Sequence, residues 1–346
     1  MPAHQWNPRE EFSIYKLTAN VSAVVIAAVL VGFPHAAVQA QSLLTGSAQA
    51  YPSRPIRFVI PFGPGSATDV LARIAGQDLS QSIGHPVVVV PKPGADGALS
   101  GLEVKRATAD GHTFLFGTNS PLAVVPNIRK EPPYDVMKDF TPVSYLGDNT
   151  FFIVVHPSVP AKSIAELIAH AKANPKTLNY ASGNTYALVA TALFSVNNGI
   201  AMHVVSYKSE PDALVDLLSG RIHLMFSTST TASAHVKEGK LRVLATTLPE
   251  RSPLMPDVPS FPEAGQAKFP IGPWFALVGP AGLPREVVAR MNKEMVAVLA
   301  KPAVRDLMLR QGFMAKSSTP EALTAYMKEQ IALWKSALKL AGVEPQ

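Results

Sequence analysis

The sequence predicts an α/β protein built as two doubly wound lobes with a cleft between them. Three observations predict it. From Tyr51 onward, strand-length apolar runs alternate with amphipathic helical stretches. The alternation halts and restarts near Phe151, which makes two series, each about as long as a domain. The loops that close the strands are rich in Gly, Ser, Thr and Asn, and poor in charge. With 47% hydrophobic and 16% charged residues in 346, the chain is globular in composition and long enough for two domains.

Residues 1–50 read as a signal peptide and linker. Val21–Phe33, VSAVVIAAVLVGF, is an apolar run preceded by Arg9 and Lys16 and followed by small residues, with candidate cleavage after Ala40 or Ala50. The run is shorter than the roughly 20 residues a membrane-spanning helix needs. Export is therefore expected, with an uncleaved anchor as the alternative.

The first lobe is expected over 51–149. Ile56–Pro61 reads as a buried strand and Thr68–Ser82 as a helix with apolar Val70, Leu71, Ile74 and Leu79. Val87–Val90, four valines, reads as a strand too apolar to face water on either side. Ala98–Thr108 reads as a helix and Thr113–Phe116 as a third strand. The second lobe, 150–268, repeats the rhythm with strands at Phe151–Val155, Leu178–Ala181, His203–Ser206, Ile222–Phe226 and Leu241–Thr246. Helices fall between them at Ser163–Asn174, Thr185–Asn197 and Glu210–Leu218. Phe151–Leu167 and Trp274–Met291 share one layout of strand, proline-punctuated turn and helix, as strands crossing between lobes would. Residues 269–346 are then expected to return to the first lobe, the alternative being a separate helical domain.

Much chemistry is excluded. There is no cysteine, hence no disulfide, thiolate metal site or cysteine nucleophile. No His pair has metal-ligand spacing, and no Gly-x-Ser-x-Gly elbow or Walker A loop is present. Gly63 and Gly65 begin a dinucleotide fingerprint, but Thr68 stands where its third glycine belongs. No catalytic residue, metal ligand or cofactor is assigned. The net charge of +6 is scattered, which fits mild attraction for small anions and argues against nucleic acid as a partner.

What remains is the turn Phe62–Asp69, FGPGSATD. Gly63 and Gly65 allow close backbone approach and positive φ. Ser66 and Thr68 can cap the helix, and Asp69 suits the positive end of its dipole. Free N–H groups at such an end bind a carboxylate or phosphate without a charged side chain. Four further loops share the strand-end edge where doubly wound sheets bind ligands: Gly117–Ser120 with Thr118 and Asn119, Ser182-Gly183-Asn184-Thr185, Tyr207-Lys208-Ser209, and the loop opening at Ser227. Lys208 either faces the cleft or is solvated. The sum is a binding cleft short of acids and bases.

At this point the sequence resembles a family, the TctC-like (Bug-type) extracytoplasmic solute receptors of tripartite tricarboxylate transporters. The stretches that carry the resemblance include YPSRPIRFVIPFGPGSATDVLAR, VVVVPKPGADG, ADGHTFLFGTN, YDVMKDFTPVSYLG, LNYASGNT, VVSYKSEPDALVDLLSGRIHLMF and RSPLMPDVPSFPEAG, in order over nearly all of Tyr51–Val343. The resemblance implies a type II periplasmic-binding-protein fold closing on a small carboxylate. It implies a periplasmic location and membrane permease subunits as partners. It also implies that backbone groups and water hold the carboxylate, from the loops Phe62–Asp69 and Ser182–Thr185. Gly65, Ser66, Ala67, Thr68 and Asp69 would form one clamp, and Gly183, Asn184, Thr185 and Tyr186 the other.

The chain departs from the family pattern in three places. Ser66 and Ala67 stand where glycines are usual, the second-lobe loop is the short ASGNTYALVA form, and Ser227 replaces an aspartate. The loss of that carboxylate points to a di- or tricarboxylate or an aromatic acid rather than an amino acid. The expected function is capture of such an acid and its delivery to the transporter, by a monomer. A carboxylate sensor without transport and an exported enzyme on the same scaffold are the alternatives.

Overall fold

The computed structural model describes residues 51–266, 269 and 271–345, so the leader and its cleavage sites lie outside the described residues. The described strands are β1 (Ile56–Ile60), β2 (Val87–Pro91), β3 (Thr113–Thr118), β4 (Phe140–Asn149), β5 (Phe151–Val155), β6 (Asn179–Ser182), β7 (His203–Ser206), β8 (Leu224–Thr228), β9 (Arg242–Thr246), β10 (Trp274–Pro280) and β11 (Phe313–Ala315). They form a six-stranded sheet in the order β11-β4-β10-β3-β1-β2 and a five-stranded sheet in the order β7-β6-β8-β5-β9. Helices connect the parallel strands, as a doubly wound fold requires.

Each sheet is mixed rather than wholly parallel. In the first, β1 pairs in parallel with β2 and β3, whereas β10 runs antiparallel between β3 and β4. In the second, β6 is parallel to β7 and β8, whereas β5 is antiparallel to β8 and β9. Two of the reversed strands, β5 and β10, are those at which the chain changes sheets. It leaves the first sheet at the end of β4, passes Thr150 and enters β5; it returns between β9 and β10. The two crossings run side by side, with Asn149 N–H donating to the Pro273 carbonyl at 3.0 Å.

Burial follows position in the sheet. Phe58, Val59 and Ile60 of the central β1 are fully buried. The four-valine strand differs from expectation: Val88 is 47% exposed, because β2 is an edge strand paired only with β1. Sequence pattern missed β4, which contains Pro142 and Gly147, residues that argue against a strand. The pairing accommodates them at irregularities, with Val278 opposite Pro142 and Phe275 opposite Gly147. It also missed the three-residue β11 and the Ser- and Thr-rich helix Ser229–Lys237.

The C-terminal helices do not form a separate core. Arg285–Ala300 and Pro302–Arg310 bury Met291, Met295 and Met308 in one cluster with Phe58, Leu71 and Phe114 of the first sheet and its helix. Pro320–Leu340 places Trp334 in a second cluster that takes in Leu115 and Trp274 from one sheet and Ile153 and Phe226 from the other. Among the described residues, no helix is long and apolar enough to cross a membrane.

Candidate functional site

The loops at the facing edges of the two sheets enclose an open cavity with about 520 Å³ of empty space. Its first wall grows from β1. Gly65 adopts φ +77°, a conformation that a Cβ would strain, and turns the chain into the helix Ala67–Ile83. Ser66 is the N-cap, its hydroxyl accepting from Asp69 N–H at 3.3 Å. The Asp69 carboxylate reaches back to accept from Gly65 N–H at 3.0 Å and is held from the other side by Arg73 at 2.9 Å. Asp69 and Gly65 therefore brace the turn and are not part of the lining. The first two helical N–H groups, of Ala67 and Thr68, have no partner within the helix, and both residues line the cavity.

The second wall repeats this arrangement. Asn184 caps the helix Thr185–Asn198, its Oδ1 accepting from Ala187 N–H at 2.8 Å, so the amides of Thr185 and Tyr186 are the open ones. Gly183 precedes the cap because nothing larger fits: a Cβ there would lie 2.5 Å from Glu210 Cα and 2.8 Å from Glu210 N. Gly183, Asn184 and Tyr186 line the cavity. The Tyr186 ring packs on Phe151 at 4.5 Å and Trp334 at 6.1 Å, and burial raises its hydroxyl pKa well above the ordinary tyrosine range. Ser182 and Thr185 fall outside the lining. Ser182 Oγ donates to the Asn184 carbonyl at 3.2 Å, and Thr185 turns its hydroxyl to the first lobe. There Thr185 Oγ1 lies 2.8 Å from Ser120 Oγ and donates to Asp96 Oδ1 at 3.3 Å.

Of the remaining expected residues, Phe62, Thr118 and Asn119 line the cavity, whereas Lys208 is exposed and outside it. Ser227 is fully buried behind the wall. The inference drawn from Ser227 needs correction, because a carboxylate is present at this place. Ser227 Oγ donates to Glu210 Oε1 at 2.7 Å, and Thr228 adds its N–H at 2.5 Å and its hydroxyl at 3.1 Å to the same oxygen. Glu210 is 7% exposed and lines the cavity. Burial raises its pKa above the usual glutamate range, against the lowering effect of those hydrogen bonds.

Ser120, Ser209 and Thr228, in loops that the sequence places at the cleft, line the cavity; Asn149, Phe151, Glu210, Pro273 and Phe275 in the lining were not anticipated. Two signals for the latter existed. Glu210 adjoins the loop Tyr207-Lys208-Ser209, and the first residues of a helix, rather than the last of a loop, carry its open N–H groups. Asn149, Phe151, Pro273 and Phe275 stand at the two crossings between sheets. Three lining side chains have buried polar atoms without a partner: Asn119 Nδ2, Asn149 Oδ1 and the Tyr186 hydroxyl, in residues 3%, 1% and 3% exposed.

Comparison with known proteins agrees with this architecture. Residues 71–343 match the model of the tripartite tricarboxylate transporter family receptor. Over 301 residues the chain is 33% identical to Protein BugT of Bordetella pertussis, covering 86% of this chain and 92% of the relative. Rpa4515 of R. palustris, solved with adipate, superposes with a TM-score of 0.82 at 30% identity, covering 86% of this chain and all of the other. The periplasmic binding protein BugD gives a TM-score of 0.80 at 30% identity, again over 86% of this chain and all of the other. With its two-sheet fold and a family match over most of its length, this chain belongs to the tripartite tricarboxylate transporter receptor family.

Proposed function

We propose that this chain is a periplasmic receptor that captures a small organic carboxylate between its lobes and passes it, unreacted, to the membrane permease subunits of a tripartite tricarboxylate transporter. The observation that carries this reading is the pair of helix N-termini, one from each sheet, at a single cavity. In each, the cap takes the third N–H and leaves the first two open. Among the described residues, no lysine or arginine lines the cavity. Such a site suits an anion of modest charge, held by backbone amides and helix dipoles. Ser66, Ala67 and Thr68 would form one clamp and Gly183, Asn184 and Tyr186 the other, with aromatic walls from Phe62, Phe151 and Phe275. The lobes would be 51–149 with 269–346, and 150–268, hinged where the chain changes sheets. The adipate bound by Rpa4515 supports the ligand class.

A thermal-shift screen of carboxylic acids tests this, beginning with di- and tricarboxylates and aromatic acids. A ligand at a hundred times its Kd stabilises by about 2.7 kcal/mol, and absence of a shift with every acid would overturn the reading. Ala67→Pro supplies the control. Ala67 is the first helical residue, where proline is tolerated, so the variant removes one clamp N–H and keeps the fold. A hydrogen bond to a charged group contributes about 1.5–3 kcal/mol, so affinity should fall tenfold or more.

A further inference from the structure

Among the described residues, Glu210 is the one charged residue lining the cavity, an acid at a site we read as an acid receptor. We propose that Glu210 sets which carboxylates the cleft accepts, favouring one that bears a hydrogen-bond donor, an ammonium or hydroxyl group, a few carbons away over one that bears a second carboxylate there. The inference rests on the carboxylate reading above and narrows it.

Four features support it. Glu210 is fixed in place: three donors converge on Oε1, and the backbone of Gly183 packs against its Cα. A second buried acceptor, Asn149 Oδ1, lines the same cavity and has no partner. Two acceptors match a ligand donor and repel a carboxylate placed against them. Of the two buried lining donors without a partner, Asn119 Nδ2 follows β3, the strand beside β1, and so belongs with the Ala67 and Thr68 amides as part of the clamp for the first carboxylate; the other, the Tyr186 hydroxyl, stands in the second wall.

The fourth feature is that, among the described residues, no cation lines the cavity beside Glu210; Lys208, two residues before it, is exposed and outside the lining. β6 and β8 bring Gly183, Ser227 and Thr228 to Glu210, and the helix Ser229–Lys237 brings Thr231. The basic residues of that helix, His235 and Lys237, lie in its last turn. On the helix that Glu210 opens, Asp212 is bonded to Ser209, and Asp216 to Tyr207 and Arg221. A second ligand carboxylate placed beside Glu210 therefore needs a proton between the two acids. Burial already holds Glu210 above the ordinary glutamate range, which makes that proton accessible at a cost in affinity.

Titration calorimetry on the intact mature protein tests this with two chain-matched sets of probes. One set is butyrate, 4-hydroxybutyrate, 4-aminobutyrate and succinate; the other is the six-carbon equivalents ending in adipate. The donor-bearing acids should bind at least tenfold tighter than the dicarboxylate of the same length. In buffers of different ionisation enthalpy, the dicarboxylate should take up close to one proton more than the amino acid at the same pH. Glu210→Gln keeps the acceptor for Ser227 and Thr228; it should invert the preference and abolish the difference in proton uptake. A wild-type preference for dicarboxylates with equal proton counts would overturn the inference and leave the carboxylate reading standing. So would a variant that weakens all acids alike. Silence from every acid in both sets would overturn the carboxylate reading itself. Should the variant not fold, affinity order and proton count in the unaltered protein decide.

Discussion

At the scale of single residues, Glu210 joins binding to stability. Its pKa is raised by burial above the glutamate reference of 4.5. In the pH range between that reference and the raised value, the folded protein holds a proton that the unfolded chain has lost. Stability therefore falls as pH rises through this window, since the fold must bury the charge once the proton leaves. Chemical denaturation of the ligand-free protein at a series of pH values should show wild type losing stability relative to Glu210→Gln as pH rises. A constant difference between the two would refute the burial penalty. Residue identity alone did not announce this. A glutamate in the first turn of a helix normally reads as a favourable partner for the dipole. The same residue becomes a buried lining group here because Gly183, in the loop after β6, admits its backbone to within contact.

At the scale of elements, the clamps depend on helices held from behind. The helix Thr185–Asn198 is backed by Tyr186 against Trp334 of the C-terminal helix, at 6.1 Å between rings. Trp334 is fully buried in the cluster that draws on both sheets. Trp334→Ala should destabilise the protein by about 3–5 kcal/mol, as large aromatic deletions in cores do. Urea unfolding measures this, and a loss below about 1 kcal/mol would mean that the helix is only loosely docked. Helices and parallel strands were the elements most legible in sequence, because their apolar patterns are clear, and the cap expected at Ser66 is present; Ser163, Asn184 and Ser209 cap three further helices. β4 was not, because Pro142 and Gly147 break the alternating pattern that would mark it. Its place between β10 and β11 comes from pairing with segments distant in sequence.

At the scale of the whole molecule, the two lobes touch through a polar cluster beside the cleft. Asp96 lies in a turn where four successive residues, Gly94 to Gly97, have positive φ, including the non-glycine Ala95 at 48° and Asp96 at 59°. Such backbone is costly for L-residues and persists only where the surroundings fix it. Here the Asp96 carbonyl accepts from Ser120 Oγ at 2.7 Å, one carboxylate oxygen accepts from Thr185, and the other pairs with Arg129 at 2.9 Å. Thr185 lies across the cleft and outside its lining, so Thr185→Val weakens the contact between lobes without altering the cavity wall. A net hydrogen bond contributes about 1 kcal/mol, which should shift the lobes toward an open state and lower ligand affinity about fivefold. Solution scattering should show a larger radius of gyration in the ligand-free variant; an unchanged radius and unchanged affinity would show that the cluster does not hold the lobes together.

By itself, the sequence determined the α/β class, the starts of the main helices, and the glycine-led turn into a capped helix at Gly65-Ser66-Ala67-Thr68. These are local properties, set by hydrophobic period, conformational freedom and capping within a few neighbouring residues. Only the tertiary structure decided that Asp69 braces its own turn, that Ser227 stands behind Glu210, and that Asn149 and Phe275 reach the cavity at the crossings. Each of those outcomes depends on which backbone approaches which across long stretches of chain. Close packing and the need to partner every buried polar group settle that approach, and neither is written at any single position.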